Sequence, residues 1–487
     1  MRHQTFAVLV AGLLLAHATL SRAADQAIAS QAILASAQPL PVWGVLPQLE
    51  EGGFSGLFPV GIPGQFWTVS DRGPNGDTFP ASGQTWRPFL SPAFAPTIYR
   101  IAVDPQSGEI EILQRIPLKL RRGFSNPVRA LVGGSARLLT GFGNTAANAT
   151  ANIPASDEVP VTDTDANAVI DATDVPLSFD PYGLDTEGIV FDWRTFTFWL
   201  VDEYRPSIVQ VALDGTVLMR ITPAGQNHAN LGAAWAGVLL RDILPASYSE
   251  RRDNRGFEGV AISRDGRSLY AIMQNPLASP CTGTDAITGK PFVSNNSRSA
   301  TRIVKLDISK VLKPSLVGDF LYTLQTKADG TALNSQLRIS DLYWLGADRL
   351  LVDERDDTAG SAAQGAPSTT TKWLYAVDLA AATNVQTLSA ANQQCLDALK
   401  PDGVLARGAT AGMKTLALDL GSTSASAEYP FAKVEGIVAL PNGNFATIND
   451  NDFEVGASAG TPTQYIEYGS GTPAIPCEGF FEFFCRP

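Results

Sequence analysis

Histidine is nearly missing from this 487-residue chain: His3, His17 and His228 are all there is. The first two sit in a stretch with the marks of a removable leader, so His228 alone is expected in the mature protein. That scarcity excludes a histidine phosphatase of the Arg-His-Gly type and any zinc or iron site built from several imidazoles. A Ser-His-Asp triad would have to use His228, in Asn227-His228-Ala229-Asn230, with no nucleophile-elbow sequence nearby. It reads better as an exposed loop histidine. Beyond the leader no apolar run reaches the roughly 20 residues of a bilayer crossing, so no membrane span is expected. No glycine-rich phosphate loop precedes a helix. Basic charge is in deficit, with a net charge of −12, which makes nucleic acid an improbable partner.

Cysteine is also scarce. Cys281, Cys395, Cys477 and Cys485 all lie far downstream. The leader itself reads Met1-Arg2-His3, an apolar run from Phe6 to Ala18, then Ser21-Arg22-Ala23 as a cleavage site. This is the pattern of a secretory signal peptide, so the protein is expected to be exported, to the periplasm or beyond. No cysteine follows that site, which argues against a lipid anchor. An even cysteine count in an exported chain suggests disulfides. Cys477 and Cys485 bracket Glu-Gly-Phe-Phe-Glu-Phe-Phe and are expected to pair, leaving Cys281 for Cys395. The alternative is free thiols in loops.

Hydrophobic residues make up 45 % of the chain, enough for a large core. Short runs rich in Val, Ile, Leu, Phe and Tyr, separated by Gly, Pro, Asn and Asp, recur with few helical periodicities, the all-β pattern. One hairpin unit repeats: Glu-Gly-aliphatic, a strand, a turn, then a strand ending in charged or amide residues. It is clearest from Glu187-Gly188-Ile189 to Asp202-Glu203-Tyr204-Arg205, and returns at Glu258-Gly259-Val260 and Glu435-Gly436-Ile437. Looser copies begin at Ser55-Gly56-Leu57 and Asp341-Leu342, and a doubtful one at Arg129. Radial repetition of four-stranded units explains a shared polar ending better than a sandwich or β-helix does. The expected fold is an all-β propeller of four-stranded antiparallel blades with long loop insertions, six blades being favoured over five or seven. Its expected span is 45–456, with an acidic insertion at 145–180, after a leader (1–23) and a lead-in (24–44), and before a tail (457–487). The pairs Phe66-Trp67, Phe198-Trp199 and Tyr343-Trp344 are expected to pack between blades.

The sequence resembles the phytase-like family, described by an esterase-like activity of phytase. The resemblance lies in Ser70-Asp71-Arg72-Gly73, Asp185-Thr186-Glu187-Gly188-Ile189, Val201-Asp202-Glu203-Tyr204, Asn254-Arg255-Gly256-Phe257-Glu258-Gly259, Asn275-Pro276-Leu277, Asp353-Glu354-Arg355, and Glu435-Gly436-Ile437 with Asn449-Asp450-Asn451-Asp452-Phe453. These run in order over about residues 45–453. The resemblance implies hydrolysis of phosphate esters. The Asp-rich and Asn-Asn-Asp-Arg motifs associated with calcium-dependent propeller phytases are absent, so phytate itself is not implied.

The chemistry left to such a ring is that of oxygen ligands and arginines. Glu187, Asp202, Glu203, Glu258 and Glu435 are the candidate catalytic acids. Asp71, Asn275, Asp353, Glu354, Asn449, Asp450 and Asp452 are candidate ligands for a hard cation, calcium being expected among crowded carboxylates. Arg72, Arg205, Arg255 and Arg355 are expected to hold the oxygens of a small anionic substrate such as a phosphate ester. A second calcium candidate lies in the insertion, where Asp163, Asp165, Asn167, Asp171 and Asp174 take positions 1, 3, 5, 9 and 12 of an EF-hand-like loop. Ala168 stands where the turn glycine belongs. The alternatives are structural acids that bond adjacent blades, and a solvated acidic loop. Three functions follow: a calcium-assisted phosphoesterase, a calcium-dependent lactonase or carboxylesterase, and a non-catalytic binding propeller. The arginines favour an anionic substrate over a lactone and do not separate an enzyme from an anion-binding module; nothing in the residues identifies a protein partner.

Overall fold

The computed structural model describes residues 27–42, 46–121, 136–143, 158–225, 237–360, 370–421 and 428–469. The leader, His228, Cys477 and Cys485 lie outside them, as does most of the copy expected at Arg129.

Among the described residues the strands form sheets of eight, five, four, four, three and two, and the eight-stranded sheet divides into two four-stranded meanders that meet at a short parallel contact, so five four-stranded units carry the fold. The first comprises Phe54–Pro59, Gln65–Ser70, Thr97–Asp104 and Glu109–Pro117. The second comprises Thr186–Asp192, Thr197–Asp202, Ser207–Ala212 and Val217–Pro223, with Leu239–Leu244 added in parallel at its outer edge. Phe257–Ile262, Ser268–Met273, Ala300–Asp307 and Ser315–Thr323 form the third. Arg338–Gly346, Arg349–Arg355, Lys372–Asp378 and Met413–Asp419 form the fourth. The fifth takes Gly436–Ala439, Phe445–Ile448 and Gln464–Tyr468 from the end of the chain and Ile28–Leu34 from its beginning.

Each unit is an antiparallel meander, and the first strands of the five touch one another in cyclic order, the fifth returning to the first. This is a propeller ring closed by five blades among the described residues, not the six favoured by repeat spacing. The copy at Arg129 would have to lie between the first and second blades, whose inner strands are in direct contact. The expected 45–456 span also stops short at both ends, since Ile28–Leu34 and Gln464–Tyr468 are blade strands. Long loops inflated the apparent repeat.

The inner strands of a blade lie between neighbours on both faces, so every residue of Thr197–Asp202 is buried, whereas an outer strand such as Glu109–Pro117 alternates between exposed and buried residues. Trp67 of the first blade meets the ring of Phe198 in the second edge-on, at 4.9 Å. The Glu-Gly repeat has a packing reason. A Cβ on Gly188 would lie 2.9 Å from the Glu258 carbonyl oxygen, one on Gly259 2.6 Å from the Leu342 nitrogen, and one on Gly436 2.8 Å from the Gly56 carbonyl carbon. Each glycine lets its inner strand press against the next one in the ring. Ladder shifts beside Glu187 and Glu258 mark β-bulges there, and a bulge re-aims the side chain next to it.

Cys281 and Cys395 form the expected disulfide, with Cα atoms 5.9 Å apart. No helix among the described residues is long and apolar enough to cross a membrane.

Candidate functional site

Inner strands begin, and second strands end, at the same end of the channel. The Glu of the repeat therefore converges from several blades: Glu187, Glu258 and Glu435, with Ser55 and Asp341 in the equivalent places of the first and fourth. Ser55 donates to Glu187 Oε2 at 2.8 Å. Asp341 instead accepts from the backbone N–H of Leu342 at 2.8 Å and of Ile437 at 2.9 Å, tying the fourth blade to the fifth.

The acids are deeply buried, Glu187 being 8 %, Glu258 2 % and Glu435 4 % exposed. Carboxylate oxygens of Asp185, Glu187 and Glu203 lie within 4.8 Å of one another. Burial first, and the Glu258, Asp185 and Glu203 carboxylates next, raise the Glu187 carboxyl well above the usual range. Burial, with Glu203 and Glu435 alongside, does the same to Glu258. Burial pushes Glu203 up to about 7, although Arg255 and Arg72 pull it down. Asp353 is raised well above its ordinary value by burial, Arg355 opposing. Both oxygens of Asp353, Oε2 of Glu258 and Oε2 of Glu435 are buried and have no hydrogen-bond partner. Glu258 accepts from Gln274, and Glu435 from Arg355, through the other oxygen, whereas Asp353 is bonded through neither. A buried ionised carboxylate left wholly unpaired is costly by several kcal/mol or more, so Asp353 calls for a proton or a cation.

Positive charge enters from one side. Arg255 approaches Glu203 at 3.4 Å. Arg355 bonds Glu435, Asp357 and the Ser340 hydroxyl, and Arg338 bonds Asp357. Burial, with the charges of Arg255 and Arg355 next, lowers Arg338 to about 10. Sequence reasoning misses Arg338 and Asp357. A signal for the arginine exists: Arg338 stands three residues before Asp341 as Arg255 stands before Glu258.

Other candidates are committed elsewhere. Asp202 accepts from the Asp185 N–H, Ser207 and Arg220, inside the second blade. Glu354 accepts from Tyr322 at 2.6 Å, the Gln325 N–H at 2.6 Å and Lys414 at 2.8 Å, between the third and fourth blades. Asn449 donates to the Pro462 carbonyl and accepts from the Gln464 N–H. Asn275 donates to the Leu337 carbonyl, and buried Arg205 to that of Pro181. These are the backbone and interblade bonds of the structural alternative. Arg72 reaches Glu158 at 3.1 Å and Asp185 at 3.5 Å, with its guanidinium 5.2 Å from the Tyr204 ring centroid. It anchors the edge of the insertion to the ring.

Asp71, Asp450 and Asp452 also converge within 4.8 Å. Lys433, unnoticed in the sequence, pairs with Asp450 at 2.6 Å and with Asp452, so an ammonium already compensates them. In the insertion, Asp163, Asp165 and Asp174 converge within 4.8 Å. Ala168 adopts φ +70°, the left-handed conformation for which glycine is usual. Asn167 and Asp171 accept from the amides of Val169 and Thr173 in the same loop.

A propeller-like ring, of five blades among the described residues, that holds buried carboxylates and arginines at one end of its channel defines the class. The phytase-like family model, esterase-like activity of phytase, matches residues 50–453, and the chain belongs to that family. A curated relative from Arthroderma benhamiae, named an uncharacterized secreted protein, is 30% identical over 201 residues. That match covers 37% of this chain and only 36% of the relative. Among solved structures, an oxidoreductase (glucose dehydrogenase) from Thermus thermophilus is 11% identical at a TM-score of 0.29, covering 89% of this chain and 100% of that one. The periplasmic gluconolactonase of Pseudomonas aeruginosa is 12% identical at a TM-score of 0.29, covering 85% and 86%. The propeller assignment rests on this chain's own strand order, not on these likenesses.

Proposed function

We propose that the chain is an exported hydrolase of a phosphate monoester, working at the carboxylate and arginine ring with calcium among the ring oxygens. The observation that carries this reading is the set of buried carboxylate oxygens without partners on Glu258, Asp353 and Glu435. Such a donor set is all oxygen and anionic, the chemistry a hard cation prefers. Glu187 would hold it together with Asp185, whose carboxylate approaches that of Glu187 within 4.8 Å, and Glu258 would lend its charge from the next blade. Calcium there would supply charge neutralisation at the phosphoryl group and acidify a bound water.

The protein's own part is positioning and proton transfer. Arg255 and Arg338, both partly exposed, present guanidinium groups suited to the paired oxygens of a phosphoryl group, while buried Arg355 holds Glu435 and Asp357 in place behind them. Glu203, held near 7 by burial, is suited to accept a proton from attacking water at neutral pH. Export is supported by the leader and by the secreted relative.

The test is hydrolysis of a chromogenic phosphomonoester and a carboxyl ester side by side, with calcium added or chelated. Calcium-dependent phosphate release is expected, with Glu258→Gln and Glu187→Gln each reducing turnover at least about a hundredfold while the fold is kept. Cleavage of the carboxyl ester alone would replace this reading with an esterase. Turnover of neither would make the ring a binding site.

A further inference from the structure

The opposite end of the channel has a different character. There the inner strands of all five blades line a cavity of about 800 Å³. Leu57, Phe191, Val260, Leu342, Val438 and Trp344 contribute to its wall, and the lining is mainly apolar. Nearby Trp193 remains 39 % exposed. A cavity of this size and polarity is a docking surface in search of an occupant. Its charged lining is Arg194, Arg264 and Asp265. Arg194 donates to the carbonyls of Gly266 and Ser309.

The chain supplies a matching segment. The described residues end at Gly469, at this same end of the channel: Tyr468 pairs with Phe445, Phe445 pairs with Ala439, and Ala439 lines the cavity. Two strand spacings, about 10 Å, separate Tyr468 from the wall. Seven residues lie between Gly469 and Cys477, enough to reach about 25 Å when extended. Cys477 to Cys485 then encloses Glu478-Gly479-Phe480-Phe481-Glu482-Phe483-Phe484. We propose that this segment docks in the cavity of its own chain, its phenylalanines against the apolar wall and its two glutamates towards Arg194 and Arg264.

Residue types, charge and reach agree. Phenylalanines left in water would form an adhesive patch, and the cavity left open would form another. A tether of seven residues makes the contact intramolecular, at a high effective concentration. A second copy of the chain or an outside apolar ligand would have to compete with it.

The experiment uses the full chain with p-benzoylphenylalanine in place of Phe481, irradiated and mapped by mass spectrometry. Adducts within one chain to Val260, Leu342 or Trp344 are expected, with a yield that falls more than about tenfold when Phe480, Phe483 and Phe484 are changed to Ser. Because the bulky probe could itself disturb docking, acrylamide quenching is measured on the otherwise native chain. Changing Phe480, Phe481, Phe483 and Phe484 to Ser should raise the quenchable tryptophan fraction, and should not do so when Trp193→Phe and Trp344→Phe are also present. Adducts between two chains would overturn the proposal in favour of a second copy. Adducts elsewhere, or none together with unchanged quenching, would overturn it outright.

Discussion

Glu203 is 3 % exposed, and the guanidinium of Arg255 stands 3.4 Å from it. Burial outweighs that charge and holds its carboxyl at about 7, against about 4.3 for a free glutamate. The folded state therefore keeps a proton here that the unfolded chain gives up. Stability from this group is complete below about pH 4.3 and is lost as pH rises through about 7. Glu203→Gln carries no such proton and should flatten that part of the profile. Thermal midpoints taken in chelator from pH 4 to 8 check this: the wild type should lose more across the window than the variant. Equal slopes would mean that Glu203 is ionised throughout. Added calcium should flatten the wild-type slope too, since a cation stabilises the carboxylate form.

At the scale of the strand, the ring depends on missing Cβ atoms. Gly259 has the Leu342 nitrogen and the Asp341 carbonyl carbon within 2.6 and 2.7 Å of where a Cβ would stand, and these are backbone atoms that cannot swing aside. Gly259→Ala must push the third and fourth blades apart, at a cost of about 1–3 kcal/mol or more. A matched change at Gly283, where nothing lies within 4 Å of the added carbon, serves as a control for the substitution, although its φ of +78° adds local strain. Denaturant midpoints should fall further for Gly259→Ala, and activity should fall with them because Glu258 sits beside the displaced bulge.

These hairpins are legible in the sequence because each closes locally: the strands from Glu187, Glu258, Ser55, Asp341 and Glu435 pair with their immediate successors, as the repeated pattern requires. The candidate ring is legible for the same reason, as one repeated position. What escapes is partner choice. Nothing local to Asp202 announces Arg220, nothing in Glu354 announces Tyr322 or Lys414, and Lys433 lies outside the repeated pattern. Arg338 escapes only because its copy of the repeat carries Asp-Leu in place of Glu-Gly.

Closure is a property of the whole molecule. Ile28–Leu34 runs antiparallel to Gln464–Tyr468 and touches Glu109–Pro117 in parallel register, so one strand seals the fifth blade and joins it to the first. Ala32 at its centre is 1 % exposed and packs in the core shared by those two blades. Distant sequence pairing of this kind has no local signal, which is why Ile28–Leu34 reads as a lead-in from sequence alone. It also predicts how the protein unfolds. A closed ring gives every blade two neighbours, so loss of any one exposes both, and calorimetry of the intact chain should show a single transition. Ala32→Asp places a charge in that core without deleting any residue. It should lower the midpoint and, by freeing the first and fifth blades to part, broaden or split the transition. It should also expose Gln464–Tyr468 as an edge that can pair with another chain, so association should rise with protein concentration in the variant alone. A shifted but still single and concentration-independent transition would show that the other blades hold the ring without the closing strand.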